Sequence, residues 1–244
     1  MKEHFETHFK LVEGEGGFST DSVSQSDLEL FREVVTRHYQ KVLLNSGFND
    51  EANLNQPIDT YHQFSQKVDH SNIWGKKDRI LAEEDLEIFL SSEFFKSMKE
   101  QIGEINISGE EGVGYPEIYY RLVRPKPYVD VGPLHADRWF WDLGHGFTPE
   151  GYKRIKFWFS LWNEPGLSGF RFVKGSHTKE YDYEGEKRDG QMKPCFEEEK
   201  YNFEISPFLS KPGDFIIFND SLLHGGLIGG EKTRVSFEFT LFIK

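Results

Sequence analysis

Cysteine and long apolar runs are scarce in this 244-residue sequence. Its single cysteine, Cys195, excludes a disulfide within the chain and fits a reducing compartment. No stretch approaches the roughly 18 consecutive apolar residues that a membrane-spanning helix needs. The first residues, 1–6, have no apolar core, so they do not resemble a signal peptide. We therefore expect a soluble, cytoplasmic protein.

Basic residues are also few, since 29 lysines and arginines face 41 acidic residues, and the formal net charge is -12. Binding to duplex nucleic acid requires a basic face that neutralises phosphates, so this balance argues against a nucleic-acid substrate. The charge is consistent with solubility and permits a neutral or cationic small molecule as a ligand.

The length suits one domain, and the sequence shows no internal repeat or linker. We predict a single domain over 1–244, with residues 1 to about 110 mainly helical and packed on a sheet. Apolar spacing predicts one helix that starts near Asp27 and ends at Gly47, and another over 83–102. Before them we predict a short strand over 8–12 and a loop over 13–26.

From about residue 104 the pattern changes to alternating strands separated by Gly and Pro turns. Many short strands of this kind indicate a sandwich or jelly roll. The charged segment 176–203 lacks a period and is predicted to be a long surface loop or lid, because long loops in compact domains are often functional. The predicted strands cover 116–124, 154–162, 169–173, 203–205, 213–218 and 233–243.

A metal site is indicated by the segment Leu134-His135-Ala136-Asp137. In an extended strand, His135 and Asp137 would point to the same side of the sheet. The best candidate for a third ligand is His224. Two histidines and one carboxylate, with other positions left open, are typical of non-heme Fe(II) oxygenases, although such a ligand set accepts other divalent metals.

A dicarboxylate site is indicated ten residues after His224. Strand alternation places Arg234 and Ser236 on one face of the last predicted strand. A fixed guanidinium with a hydroxyl beside it, one strand from a metal ligand, suits a carboxylate group.

Taken in order, His135-x-Asp137, His224 and Arg234-x-Ser236 resemble the Fe(II)/2-oxoglutarate dioxygenase superfamily. Three further features resemble its phytanoyl-CoA dioxygenase branch in particular. They are Pro-Gly-Asp at 212–214 before the distal histidine, Gly-Ser-His at 175–177 after a hydrophobic strand, and the overall order of these parts along the chain. The resemblance covers about residue 115 to the C-terminus, roughly half the chain.

The resemblance implies a mostly β fold with flanking helices, a double-stranded β-helix of the cupin-like jelly-roll kind, over about 115–244. It implies Fe(II) held by His135, Asp137 and His224, and 2-oxoglutarate held at its distal carboxylate by Arg234 and Ser236. The reaction would use O2, release succinate and CO2, and oxidise a C–H bond of a small molecule. Related halogenases have a small residue in place of the metal-binding carboxylate, so Asp137 favours hydroxylation.

Other candidate pocket residues depend on which faces of the strands 117–124 and 154–162 point inward, and the sequence leaves this open. Tyrosine and tryptophan faces can stack on sugars or cations. The candidates for the cosubstrate are Tyr119 and Arg121, and those for the substrate are Arg138, Trp139, Trp141 and Trp158.

Two other functions remain open at this stage. A cupin-like metalloenzyme that does not use 2-oxoglutarate would leave Arg234 without a role. A non-catalytic jelly-roll binding module would retain no metal. Within the leading class, a small polar metabolite is the expected substrate; desaturation, ring formation and epimerisation are further possible outcomes, and the oligomeric state is open.

Overall fold

A computed structural model describes residues 5–188 and 190–244. The α-helices are α1 Phe5–Glu13, α2 Gln25–Asn45, α3 Glu51–Leu54, α4 His70–Ile73, α5 Glu83–Leu90, α6 Glu93–Ile102 and α7 Asp137–Asp142. Short 3-10 helices cover Ile58–Gln63, Ser65–Lys67, Lys77–Arg79, Ser176–Thr178 and Glu198–Lys200.

The strands form antiparallel sheets. They are β1 Phe18–Ser22, β2 Asn106–Ile107, β3 Tyr119–Val123, β4 Lys153–Trp162, β5 Gly169–Val173, β6 Glu184–Arg188, β7 Gln191–Cys195, β8 Ile205–Phe208, β9 Asp214–Asn219, β10 His224–Leu227 and β11 Arg234–Ile243. The large sheet has the order β1-β9-β4-β11-β2, with β3 also paired to β11. The small sheet has the order β10-β5-β8, and β6 pairs with β7.

One face of the large sheet carries the main hydrophobic core. Because side chains alternate along a strand, every second residue of β4 and β11 points to the helices. Phe157 and Phe159 of β4 stack with Phe239 and Phe237 of β11 at ring-centroid distances of 4.7 and 4.2 Å. From α2, Phe31 meets Phe237 edge-on. The N-terminal helices therefore cover this face.

The other face of the large sheet packs on the small sheet. Trp158 of β4 and Phe218 of β9 are buried against Phe170 and Phe172 of β5. Two antiparallel sheets packed face to face around an interior confirm the predicted jelly-roll class, and the sheets do not close into a barrel.

The N-terminal part departs from prediction. Residues 8–12 lie in α1 rather than in a strand, and their helical face buries His8 and Val12. The predicted loop over 13–26 contains β1, which pairs with β9 and completes the edge of the large sheet. Backbone pairing with β9 stabilises this polar segment, so an apolar pattern was not needed for a strand to form.

The helix predicted over 83–102 is two helices, α5 and α6. Ser92 caps α6 by accepting a hydrogen bond from the Phe95 amide at 3.4 Å. Asp27 of α2 accepts bonds from the amides of Glu93 and Phe94. These bonds satisfy the first amides of α6 and allow the chain to change direction there.

The charged segment 176–203 is more ordered than a surface loop. It holds the β6–β7 hairpin, and Tyr183 stacks on Trp139 of α7 at 4.8 Å. The Glu198 carboxylate accepts a hydrogen bond from the Leu134 amide at 2.9 Å. The segment thus lies against the chain next to His135, and its role as a lid stays a prediction. Among the described residues, no helix is long and apolar enough to cross a membrane.

The aromatic core predicts how unfolding should respond to substitution. Phe159 is 1% exposed, so Phe159→Ala should lower the free energy of unfolding by about 3–5 kcal/mol, through lost burial and the cavity left behind. Phe147 is 79% exposed, and Phe147→Ala should change the free energy of unfolding by less than about 0.5 kcal/mol. Urea titration followed by circular dichroism measures both. Equal losses would show that the core is not where the structure places it.

Candidate metal centre

The His135 segment is held beside β10 by a pair of backbone hydrogen bonds. The amide of each of His135 and His224 donates to the carbonyl of the other at 2.9 Å. His135 is therefore extended, as predicted, but Asp137 is not, because it is the first residue of α7. Ala136 is the last extended residue, and the turn of the helix directs the Asp137 carboxylate back toward both histidines.

The three predicted ligands converge. His135 Nε2 lies 3.9 Å from Asp137 Oδ1, and His224 Nε2 lies 3.6 Å from Asp137 Oδ2. One ligand atom from each residue fits within 4.8 Å of the others. This spacing brings two imidazole nitrogens and one carboxylate oxygen to a common point, as a facial metal triad requires.

Each imidazole is oriented by a backbone carbonyl. His135 Nδ1 lies 3.1 Å from the Pro133 oxygen, and His224 Nδ1 lies 2.9 Å from the Leu222 oxygen. Because a carbonyl oxygen can only accept, Nδ1 carries the hydrogen and Nε2 keeps its lone pair for a metal. Burial lowers the pKa of His224 to about 4, so this ligand is neutral at neutral pH.

The side chains of Asn219 and Asp220, in the turn before His224, bond to groups other than its imidazole. The Asn219 side chain accepts a hydrogen bond from the Ser221 amide at 3.0 Å. The Asp220 carboxylate accepts from Arg154 Nε at 2.7 Å. They shape the turn before His224, while the orienting bond comes from the backbone, which no side-chain pattern reveals.

Lys156 lies beside the candidate metal ligands. Its Nζ is 3.5 Å from Asp137 Oδ2 and donates to Thr240 Oγ1 at 2.8 Å. Burial works to raise the pKa of Asp137, but the positive charge of Lys156 is the largest opposing cause, and that pKa lies well below its usual range. The carboxylate is therefore ionised and available to a metal.

Arg234 and Ser236 share the inner face, in the predicted arrangement. Arg234 is 3% exposed, donates from Nη1 to Ser236 Oγ at 3.1 Å, and lies over the Trp158 ring at 5.6 Å. Within the described part of the chain, its buried Nε has no hydrogen-bond partner. Burial lowers the pKa of Arg234 to about 10, so it remains charged near neutral pH. A buried cation with an unused donor needs an anion.

The register answers which strand faces line the interior. Arg121 lies opposite Ser236, and Tyr119 lies opposite Glu238. Trp158 lies opposite Glu238 from the other side. Residues directly opposite in antiparallel strands share a face, so Tyr119, Arg121 and Trp158 all line the interior with Arg234. Both polar candidates already have protein partners, because the Tyr119 hydroxyl donates to Glu117 and Arg121 Nε donates to Glu238 at 2.8 Å.

The candidates that follow the metal motif lie in three environments. Arg138 is half exposed and pairs with Asp142. Trp139 packs in the aromatic cluster with Tyr183. Trp141 lies under the Arg154 guanidinium at 4.8 Å. Each of these side chains has protein neighbours, and their contact with substrate stays a prediction.

Sequence reasoning missed Glu238, Thr240 and Glu110. Glu238 binds Arg121, and the Thr240 hydroxyl donates to Glu110 Oε1 at 3.1 Å. The alternation that selected Arg234 and Ser236 continues to Glu238 and Thr240, so the signal was present in β11. Glu110 comes from a loop, and only the folded structure brings it there.

Comparison with known proteins agrees with the site. Residues 118–228 match the sequence profile of the family described as phytanoyl-CoA dioxygenase (PhyH). The matched stretch begins in front of β3 and includes all three metal-binding candidates. This match confirms the resemblance that the motifs predicted. Curated proteins gave no significant match.

Solved structures share the fold. EvdO2 from Micromonospora carbonacea var. aurantiaca, complexed with 2-oxoglutarate, aligns with TM-score 0.60 and 13% identity over 100% of this chain and 92% of its own. EctD from S. alaskensis, with 2-oxoglutarate and 5-hydroxyectoine, aligns with TM-score 0.54 and 15% identity over 93% and 72%. The carbocyclase SnoK from nogalamycin biosynthesis aligns with TM-score 0.54 and 11% identity over 97% and 83%.

The geometry predicts which histidine matters for metal binding. His224→Ala removes a buried nitrogen donor, so the variant should bind Co(II) at least about 100-fold more weakly than the wild type; a loss of two decades corresponds to about 2.7 kcal/mol. His145, which is half-buried and lies outside the triad, serves as the control, and His145→Ala should bind as the wild type does. Equilibrium dialysis measures both affinities. Equal binding by His224→Ala and the wild type would contradict the assigned triad.

Proposed function

We propose that this chain, a non-heme Fe(II)/2-oxoglutarate dioxygenase of the phytanoyl-CoA dioxygenase type, hydroxylates a small polar molecule. The observation that carries the proposal is the convergence of His135, Asp137 and His224 on the interior face that also holds Arg234. A dicarboxylate that chelates a metal at one end also needs a cation for its other carboxylate. The candidate triad and the buried Arg234 would supply both in one interior.

The donor set fits ferrous iron. Two imidazoles and one carboxylate would occupy three positions and leave the others open, which is the arrangement of iron oxygenases. His135 and His224 are fixed by the carbonyls of Pro133 and Leu222, so the geometry is set before a metal enters. Iron bound here would supply the oxidising chemistry with O2 and 2-oxoglutarate.

The interior also fits 2-oxoglutarate. Arg234 and Ser236 would hold its distal carboxylate, because a guanidinium with an adjacent hydroxyl donates several hydrogen bonds to one carboxylate. In the described part of the chain, no carboxylate pairs with Arg234, so its charge is available. The Trp158 ring lies 5.6 Å from the guanidinium and favours its positive charge.

A polar substrate is favoured by the groups near the triad. Arg121 and Glu238 form an ion pair at 2.6 Å on the interior face, and the Arg121 side chain is 47% exposed. Lys156 and Asp137 form a second pair. Charged side chains in an accessible interior suit hydroxyl, amine or carboxylate groups better than a long hydrocarbon chain. Solved structures of this fold include EctD with 5-hydroxyectoine, a small polar molecule.

We further propose that residues 1–244 act as one oxygenase domain. β1 and β2, from the mainly helical part, pair with β9 and β11 of the jelly roll. Loss of the N-terminal part would therefore remove strands of the large sheet as well as the helices that cover it.

Cys195 is exposed and free, which is consistent with the predicted cytoplasmic location.

Uncoupled turnover tests the function without knowledge of the substrate. Protein loaded with Fe(II) without oxygen and then exposed to air should form succinate slowly from 2-oxoglutarate. Asp137→Ala should abolish formation because it removes a metal donor. Arg234→Ala should raise the KM for 2-oxoglutarate by at least about 10-fold, the equivalent of 1.4 kcal/mol for a charged hydrogen bond.

The control for this assay is Arg188→Ala, because Arg188 lies on the exposed β6 strand and should not affect turnover. Iron binding with no succinate in the wild type would favour a metalloenzyme that does not use 2-oxoglutarate. Once the class is established, candidate substrates can be screened by the increase in succinate that they cause.

A further inference from the structure

Lys156 is a buried charge at a place where the fold alone would accept an apolar residue. It is 8% exposed, and its neighbours across β4 are Phe218 of β9 and Thr240 of β11. Trp158 and Phe218, on the same face, pack in an apolar cluster. Burying an ammonium costs free energy unless it is paired, so a lysine here indicates a specific role for its charge.

The Lys156 ammonium has two fixed partners. It donates to Thr240 Oγ1 at 2.8 Å, and it lies 3.5 Å from Asp137 Oδ2. The Thr240 hydroxyl in turn donates to Glu110 Oε1 at 3.1 Å. Thr240 therefore accepts from one side and donates to the other, which fixes the position of the lysine head group. A fixed ammonium can orient the carboxylate beside it.

Three side chains, those of Lys156, His224 and His135, lie close to the Asp137 carboxylate. Its Oδ2 is 3.6 Å from His224 Nε2, almost as close as it is to Lys156 Nζ, and its Oδ1 is 3.9 Å from His135 Nε2. Among residues 5–188 and 190–244, no backbone amide restrains the carboxylate in the way that the carbonyls of Pro133 and Leu222 restrain the two histidines. Of the three proposed ligands, Asp137 is thus the one whose orientation depends on a side chain.

We propose that Lys156 is a positioning residue for the metal centre. It holds one oxygen of the Asp137 carboxylate and leaves the other for the metal, so that Asp137 ligates through one oxygen and an open position is kept. The inference rests on the proposed metal centre and on none of the steps that involve 2-oxoglutarate. It concerns metal affinity and coordination, both of which can be measured without turnover.

Two effects of Lys156 have opposite signs. An ammonium near a divalent cation repels it, so removal of the charge alone would tighten metal binding. Loss of a group that orients a ligand weakens metal binding, typically by about 10–100-fold. The positioning role predicts that the second effect prevails, and the sign of the change in affinity therefore decides the proposal.

Co(II) titration of the metal-free protein tests this, with the visible absorption of the bound Co(II) as a report on coordination. Lys156→Met keeps the length of the side chain and removes the charge; its affinity should fall by about 10–100-fold and its spectrum should change. Lys156→Arg retains a cation and should recover part of the affinity. Thr240→Val removes the second partner of the lysine and should give a smaller loss in the same direction.

The matched control is Lys153→Met on the same strand, because Lys153 is 67% exposed and pairs with Glu13. Its affinity and spectrum should equal those of the wild type. Thermal unfolding of each metal-free variant checks folding, and if Lys156→Met does not fold, Lys156→Arg and Thr240→Val decide the question.

Unchanged or tighter binding by Lys156→Met, with an unchanged spectrum, would overturn the positioning role. If the wild type binds Co(II) and the variants behave as expected, but the iron-loaded enzyme ignores 2-oxoglutarate, the proposed function fails and this inference stands. If the wild type binds no Co(II), the metal centre and the inference fail together.

Discussion

The pairing of β4 with β11 is the constraint on which both the core and the site depend. Side chains alternate along each strand, so the register that pairs Phe159 with Phe237 also pairs Trp158 with Glu238. One face then supplies the phenylalanines under the helices, and the other supplies the polar groups near the metal ligands. A shift of one residue would exchange the two faces and bury the charges in the core. Stability and function are thus set by one register.

Charge balance gives the interior its chemical character. Arg121 is matched by Glu238, and Lys156 is matched by Asp137. Arg234 is buried, and among the described residues it has the Ser236 hydroxyl and the Trp158 ring as neighbours but no carboxylate partner. A buried cation that the protein leaves unmatched is costly, and such a cost is retained where a ligand offsets it. The cost of an unmatched buried charge applies to Arg234 and not to the arginines on the surface, which water solvates.

Much of the second half of the chain could be predicted because alternation of apolar and polar residues is a direct consequence of strand geometry. It predicted the bounds of β4 and β5 to within one residue, and it placed Arg234 beside Ser236. The polar β1 was missed because its partner strand, rather than its own side chains, stabilises it. Helical geometry at Asp137 and the contact of Asp137 with Lys156 depend on distances between segments far apart in sequence, which no local pattern encodes.

The central claim is that a metal binds where His135, Asp137 and His224 converge. A crystal grown without oxygen in the presence of Fe(II), with diffraction recorded on both sides of the iron absorption edge, tests it directly. One strong anomalous peak is expected within bonding distance of the two Nε2 atoms and one oxygen of Asp137. An anomalous peak at other residues, or none in crystals that contain iron, would contradict it.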